Sequence, residues 1–219
     1  MTWVKRQFAV IGLGRFGSSV ARTLFSMGYD VLALDMSKDR VQELAKDVTH
    51  AVQGDAREEE TLRAVGIRNF DVVVVAIGQD IQSSILITVL LKELGVKCVV
   101  AKAQNELHAK VLYKVGADKV VFPERDMGAR LARSMVSANV LDYIQLSPDY
   151  SIAEIATYET WEGKSLRELN LRARFVINVL AIKRNRQLTV APGADDLIEK
   201  GDILVVVGRN ENIDRLERV

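Results

Sequence analysis

The stretch QFAVIGLGRFG, residues 7–17, decides the fold of this chain. Its first half is an apolar run that predicts a buried β-strand, and its second half carries Gly12, Gly14 and Gly17 as Gly-x-Gly-x-x-Gly at the start of an amphipathic helix. In this pattern the first glycine permits a tight turn, the second lets the backbone approach a pyrophosphate, and the third lets helix and strand pack closely. Because free N–H groups at a helix N-terminus favour an anion, the segment predicts a phosphate-binding loop.

Acidic and small residues follow the next three predicted strands, where parallel strands leave a crevice at their carboxyl ends. Asp35 ends the second strand, and an acid there accepts hydrogen bonds from ribose hydroxyls and repels a 2′-phosphate. The pair Asp55-Ala56 follows the third strand, where a base and its ribose would pass, and Ala76-Ile77-Gly78 closes the fourth. A helix cap and a loop glycine are the ordinary alternatives for Asp55 and Gly78.

Two cations are candidates for the same crevice. Arg15 lies inside the glycine loop, where a guanidinium suits an additional terminal phosphate, so ATP or ADP fits the loop as readily as NAD does. Lys102 stands at the end of the fifth predicted strand. A solvated surface side chain is the alternative for each, although a cation at a helix N-terminus is mildly unfavourable.

The strand and helix pattern changes along the chain. Six strands alternate with helices up to residue 121, which predicts a doubly wound parallel sheet, and residues 124 to about 140 indicate one long helix. Turn residues at 147–149 precede a small α+β domain of about 70 residues, which is marginal alone and is expected to dimerise. Its predicted strands are 151–157, 176–183, 187–190 and 203–207, with helices at 165–169 and from 211. The resulting division is a nucleotide-binding domain at 1–123, a linker helix that reaches a neighbour at 124–147, and the α+β domain at 148–219.

Composition excludes several classes of protein. Lys+Arg 30 against Asp+Glu 29 gives a net charge of +1, without the positive excess that neutralises nucleic-acid phosphates, so no nucleic-acid partner is expected. The single cysteine, Cys98, suits a reducing cytosol. No basic-then-apolar leader and no apolar run near the ~18 residues of a spanning helix occur, which predicts a cytoplasmic protein.

Residues for catalysis are sparse. The two histidines, His50 and His108, fall on different predicted elements, and neither lies in the second domain, where a dehydrogenase would need an acid or base. The sequence therefore predicts a protein that is not an enzyme. An NAD-dependent oxidoreductase remains the alternative because of the glycines and Asp35. A redox-sensing repressor would need a helix-turn-helix, whereas the second domain is strand-rich.

Six stretches together resemble the cytosolic regulatory subunits of Ktr potassium uptake systems, proteins of the RCK or TrkA type, over essentially the whole chain. The resemblance implies homodimers that assemble into an octameric ring, docked at the inner face of the cell membrane under a subunit that conducts K⁺. It also implies that ATP favours the active ring and ADP the inactive one. The stretches are residues 7–17, GIRNFD at 66–71, VAIG at 75–78, LKELG at 91–95, KAQN at 102–105 and PERDM at 123–127.

The resemblance assigns roles to residues of the nucleotide site. Arg15 would reach the γ-phosphate, Asp35 would hold the ribose, and Asp55-Ala56 would face the adenosine. Glu124 would come across the dimer interface towards the phosphates, where the family can hold a divalent cation, Mg²⁺ or Ca²⁺. The loop would consist of Gly12, Leu13, Gly14, Phe16 and Gly17, with Ala76, Ile77, Gly78 and Lys102 along the crevice.

The α+β domain resembles the RCK_C domain, which in Ktr subunits binds cyclic di-AMP as an inhibitory ligand at a two-fold interface. By resemblance, Arg172 would contact phosphate with Ala173 beside it, Asn178 would hydrogen-bond the nucleotide, and Ile177 and Pro192 would enclose a base. Residues 164–186 independently hold seven basic residues and one acid, for which a solvated face is the alternative. Where family members have Lys-Tyr-Gly or similar, this chain has Arg174-Phe175-Val176.

Overall fold

The computed structural model describes residues 6–136, 140–185 and 187–216. The chain divides into two compact units, the first ending at Pro123 and the second beginning at Glu124. Within the described residues, no helix combines the length and the apolar character needed to cross a membrane.

The first unit is built on one sheet whose strands are β1 (Gln7–Ile11), β2 (Asp30–Asp35), β3 (His50–Gln53), β4 (Val72–Val75), β5 (Val99–Lys102) and β6 (Lys119–Val121). All of them run parallel, in the order β3-β2-β1-β4-β5-β6. The predicted doubly wound parallel sheet is confirmed. Because the order reverses between β1 and β4, a crevice opens beyond the carboxyl ends of these two strands.

Helices connect these strands and bury both faces of the sheet. Along β1, Ala9 and Ile11 belong to one hydrophobic cluster and Val10 to another, so alternate residues face opposite layers. A strand covered on both faces needs apolar residues throughout, which explains the nearly unbroken Val72–Val75 run. The helices are α1 (Arg15–Ser26), α2 (Lys38–Leu44), α3 (Glu59–Ala64), α4 (Ile81–Glu93) and α5 (Glu106–Lys114).

The second unit has an antiparallel sheet made of β7 (Val140–Gln145), β8 (Tyr150–Ala156), β9 (Asn178–Arg184), β10 (Gln187–Val190) and β11 (Ile203–Arg209), in the order β10-β9-β11-β8-β7. Ala153 and Ile155 on β8 alternate with half-buried residues, as expected of a sheet with one face on the core. This unit confirms the predicted small α+β domain. Its helices are α6 (Pro123–Val136), which begins at the last residue of the first unit, α7 (Leu166–Leu169), α8 (Leu171–Phe175) and α9 (Asn210–Leu216).

The predicted helix to about residue 140 is wrong at its end, because β7 begins at Val140 and pairs with β8. On β7, Tyr143 is buried and Ile144 is exposed, the period-2 pattern of a strand. Asp142 accepts hydrogen bonds from the Arg130 guanidinium of α6, at 2.9 Å from Nε to Oδ1 and 2.6 Å from Nη2 to Oδ2. The strand β7 therefore lies inside the segment 124–147 that was assigned to a linker, and the division of the chain into three segments stays a prediction.

Candidate functional site

The fold itself requires two of the three loop glycines. Gly12 has φ +92°, a left-handed conformation, and a Cβ placed on it would lie 2.8 Å from Cγ1 of Ile77. A Cβ on Gly17 would lie 1.9 Å from the carbonyl oxygen of Gly12, where no real atom fits. These two glycines therefore let α1 begin directly against the carboxyl ends of β1 and β4.

Gly14 differs from both of its neighbours in the pattern. It is the N-cap of α1 with φ −71° and ψ −174°, an extended conformation that any residue adopts. A Cβ on Gly14 would meet no atom within 4 Å. Neither backbone strain nor packing explains a glycine here, so what remains is the space that it leaves open at the N-terminus of α1.

Asp35 fastens the loop to the end of β2. Its buried carboxylate accepts a hydrogen bond from the N–H of Leu13 at 2.6 Å through Oδ2 and from the N–H of Ser37 at 2.8 Å through Oδ1. Nη1 of Arg40 lies 3.5 Å from Oδ2. A carboxylate accepts about four hydrogen bonds, so Asp35 keeps capacity for ribose hydroxyls while it positions the loop.

Arg57 is a residue of this edge that the sequence analysis missed. Its guanidinium grips the Asp55 carboxylate, with Nε 3.0 Å from Oδ1 and Nη2 2.6 Å from Oδ2, and its own N–H donates to Oδ1 at 2.9 Å. These hydrogen bonds lower the pKa of Asp55. Nη2 also lies 3.9 Å from Sδ of Met36, beyond the end of β2. Asp55 is thus held as an ion pair, and the neighbouring Ala56 is buried.

The ends of β4 and β5 bring further predicted residues to the loop. The N–H of Ala76 donates to the carbonyl of Ile11 at 2.8 Å, which extends the pairing of β4 with β1. A Cβ on Gly78 would lie 3.1 Å from Cε of Lys102, and Nζ of Lys102 lies 5.8 Å from the centre of the Phe16 ring. The structure therefore gathers Lys102, Gly78 and Phe16 at one end of the sheet.

Arg15 is the first residue of α1 and is exposed. Among the described residues its side chain makes no hydrogen bond or ion pair, and the first turn of α1 contains no acid. A cation at a helix N-terminus is disfavoured by the helix dipole. Arg15 therefore presents an uncompensated positive charge beside the open space at Gly14.

The side chains that a catalyst or a metal centre would need are not assembled. His108 is buried, its Nδ1 accepts a hydrogen bond from the N–H of Gln104 at 3.3 Å, and burial lowers its pKa. The part of the chain that the structure describes contains no group of three His, Cys, Asp or Glu side chains placed to hold a metal ion. Glu124 is one exposed carboxylate in the first turn of α6. The described residues of one chain therefore do not assemble a metal site from protein side chains alone.

In the second unit, two predicted ligand residues lie on the short helix α8 and the others follow it along the chain. Arg172, Ala173 and Arg174 are exposed on this helix, and Asn178 is exposed at the start of β9. Pro192 is half-buried and directly follows β10 and Ala191. Arg172, Ala173 and Asn178 lie close together along the chain, and Pro192 follows β10, which pairs with β9. Their role as a ligand site stays a prediction.

Ile177 does not join this exposed set. Its side chain is 1% exposed and packs in the core, where a Cβ on Gly208 would lie only 2.7 Å from its Cγ2. The structure places Ile177 where it anchors the start of β9, because an apolar side chain at this point fills the space above the glycine. A contact with a base would require this side chain to leave the core.

The basic segment 164–186 is partly neutralised. Arg167 pairs with Asp195, Lys183 with Glu154, and Arg184 with both Glu199 and Asp202. Burial acts to raise the pKa of Asp202, but hydrogen bonds from Arg184 and from the N–H of Glu199 outweigh it and lower that pKa. Among the described residues of this segment, Lys164 and the two arginines of α8, Arg172 and Arg174, make no ion pair with an acid.

Two family models match this chain, the TrkA-N domain at residues 8–123 and the TrkA-C domain at residues 151–219. The Ktr system potassium uptake protein C of Bacillus subtilis (strain 168) is 49% identical, over 98% of this chain and 97% of its own length. The Ktr system potassium uptake protein A of the same organism is 47% identical, over 97% and 96%. The solved structure of the GsuK channel matches with a TM-score of 0.71 at 18% identity, over 99% of this chain and 40% of the channel chain, and shows the fold alone.

Proposed function

We propose, because this chain belongs to the family of Ktr potassium uptake regulatory subunits, that its first unit binds ATP and ADP and so controls a K⁺-conducting membrane subunit. Members of this family are regulatory proteins and not enzymes, which sets aside an NAD-dependent oxidoreductase. The partner is the membrane subunit of a Ktr system. We further propose that the chain forms homodimers and an octameric ring, held at the cytoplasmic face of the membrane by that partner.

The open space at Gly14 carries the proposal that a nucleotide binds. Gly12 and Gly17 are needed to build the turn, whereas a side chain at residue 14 would fit without strain or contact. A glycine in such a place lets the phosphates of a nucleotide reach the free N–H groups at the start of α1. The loop is therefore shaped for an anion that approaches its backbone closely.

Charge around the loop favours ATP and ADP. Arg15 supplies a guanidinium at the exposed first residue of α1, suited to a terminal phosphate. Asp35, with capacity left on its carboxylate, would hold the ribose and repel a 2′-phosphate. The Asp55–Arg57 pair and the buried Ala56 would border the adenosine. NAD(H) is the second candidate because it presents the same adenosine and pyrophosphate.

A divalent cation would need more than one chain to hold it. Mg²⁺ typically binds one or two carboxylates together with phosphate oxygens, and Glu124 offers one carboxylate per chain. A pair of Glu124 side chains from two copies, with nucleotide phosphates, would supply the ligands that Mg²⁺ or Ca²⁺ prefers. The nucleotide response proposed here does not depend on that ion.

The second unit is proposed to bind cyclic di-AMP as an inhibitory ligand. Arg172 and Arg174 put two cations without acidic partners on α8, where they could neutralise two phosphates. The exposed Asn178 amide could hydrogen-bond the edge of a base, and Pro192 offers an apolar contact. Ile177 would support this surface from the core.

Either ligand would act by favouring one shape of the assembly. A ligand shifts such an equilibrium only through its different affinities for the two shapes. Coupling energies of about 1–3 kcal/mol are typical, which corresponds to 5- to 150-fold. One extra charge-assisted hydrogen bond to the γ-phosphate is of this size.

Arg15→Ala is expected to weaken ATP binding about 30-fold and ADP binding little, because only ATP carries the terminal phosphate that Arg15 would contact. A 30-fold loss of affinity corresponds to about 2 kcal/mol, the size of one charge-assisted hydrogen bond. Isothermal titration calorimetry of both nucleotides measures the two losses. Arg68→Ala, which removes an exposed arginine that precedes β4 at the opposite end of the sheet, is the control and should leave both affinities unchanged. Equal losses for ATP and ADP would remove Arg15 from γ-phosphate recognition.

A further inference from the structure

Val176 occupies a backbone conformation that suits glycine. It is the C-cap of α8 with φ 56° and ψ 40°, and its N–H donates to the carbonyl of Arg172 at 3.1 Å. For a β-branched residue the left-handed region is a genuine outlier, because Cβ crowds the following carbonyl. The chain nevertheless keeps a valine here.

α8 is bracketed by two left-handed residues, Asn170 with φ 44° and Val176. Asparagine tolerates this conformation and valine does not. Strained residues of this kind persist at ligand-binding sites, where they serve a function.

The backbone strain at Val176 is not offset by burial of its side chain. It is 69% exposed, although its neighbour Ile177 is buried. Arg172, Arg174 and Asn178 are exposed as well, and they lie within four residues of Val176 along the chain. An exposed isopropyl group between phosphate-binding cations and a hydrogen-bonding amide has the properties of a contact for the apolar face of a base.

We infer that Val176 determines the affinity of the second unit for its dinucleotide by packing its isopropyl group against a purine base. The inference rests on the proposed function of this unit as a cyclic di-AMP site. It assigns to Val176 an apolar contact that the buried side chain of Ile177 does not offer.

The Val176→Thr variant tests the contact with the base separately from the strain of the left-handed backbone. Threonine has the same shape and the same β-branch, so the thermal midpoint should stay unchanged, but its hydroxyl meets the base without a partner. Calorimetry with cyclic di-AMP on the full chain should show binding about tenfold weaker, which is about 1.4 kcal/mol. Val176→Ile, which keeps both the apolar contact and the strain, should bind with native affinity.

The Val176→Gly variant removes both the isopropyl group and the backbone strain. Its thermal midpoint should rise by about 2–4 °C because the strain is relieved, while binding weakens about tenfold as for threonine. This opposite movement of stability and affinity distinguishes a ligand contact from a purely structural residue. If both variants bind cyclic di-AMP as the native chain does while Arg172→Ala loses it, the site stands and the inference about Val176 falls. If the native chain fails to bind cyclic di-AMP, the proposed function of this unit falls together with the inference.

Discussion

Replacing Gly17 by alanine is expected to destabilise the first unit by at least about 3 kcal/mol, because the added methyl group would lie 1.9 Å from the carbonyl oxygen of Gly12 and 3.0 Å from Cβ of Ala76. The backbone at Gly12 and Gly17 cannot move apart to relieve this clash without separating α1 from β1 and β4. Amide hydrogen exchange over residues 7–26, followed by mass spectrometry, reports the loss of protection directly.

Gly14→Ala is the matched control for that variant, since it adds the same methyl group three residues away into open space. Its exchange pattern should equal that of the native chain. Protection of β1 and α1 that survives in Gly17→Ala would contradict the packing described for the turn.

The same Gly14→Ala variant is expected to lower the affinity for ATP and for ADP by at least about 100-fold, or about 2.7 kcal/mol, because the methyl group would stand between the phosphates and the first N–H groups of α1. Calorimetric titration of the folded variant measures this loss. Unlike Arg15→Ala, it should affect both nucleotides equally, since both carry the pyrophosphate.

Native affinity for ATP in Gly14→Ala would show that the phosphates do not approach this loop. Ser18→Ala is a suitable comparison in the same helix: its hydroxyl donates to the carbonyl of Leu13 at 2.9 Å, so the variant perturbs the loop without filling the space at Gly14. A much smaller loss is expected there, because the backbone N–H groups stay accessible.

The first unit was predictable because its signals are local. Strands buried on both faces of a parallel sheet need uninterrupted apolar runs, and Val72–Val75 supplies one. The second unit was harder, since its strands alternate and its helices are short. β7 was not predicted and fell within the segment 124–147, because its six residues show their period of two only once Tyr143 is known to face the core.

In the candidate site, too, the residues set by a local pattern were predictable and those set by contacts elsewhere in the fold were not. The sequence predicts the glycine loop and Asp35 from a fixed spacing, and the structure adds that Asp35 holds the N–H of Leu13. The role of Arg57 was not predictable, because its ion pair with Asp55 depends on the local conformation of a loop. The resemblance implied that Ile177 would enclose a base, whereas its side chain is buried against Gly208, which is distant in the chain. Contacts between residues far apart in the chain are what sequence patterns do not contain.

The central claim is that adenine nucleotides at the glycine loop control potassium flux, and vesicles containing the membrane subunit of a Ktr system test it most directly. Uptake of K⁺ is measured with this protein bound to that subunit, in ATP and in ADP at equal concentration. With the native chain, K⁺ uptake is expected to be faster in ATP than in ADP. With Gly14→Ala, the uptake rates in the two nucleotides are expected to be equal. Equal uptake in ATP and ADP with the native chain bound would contradict the central claim.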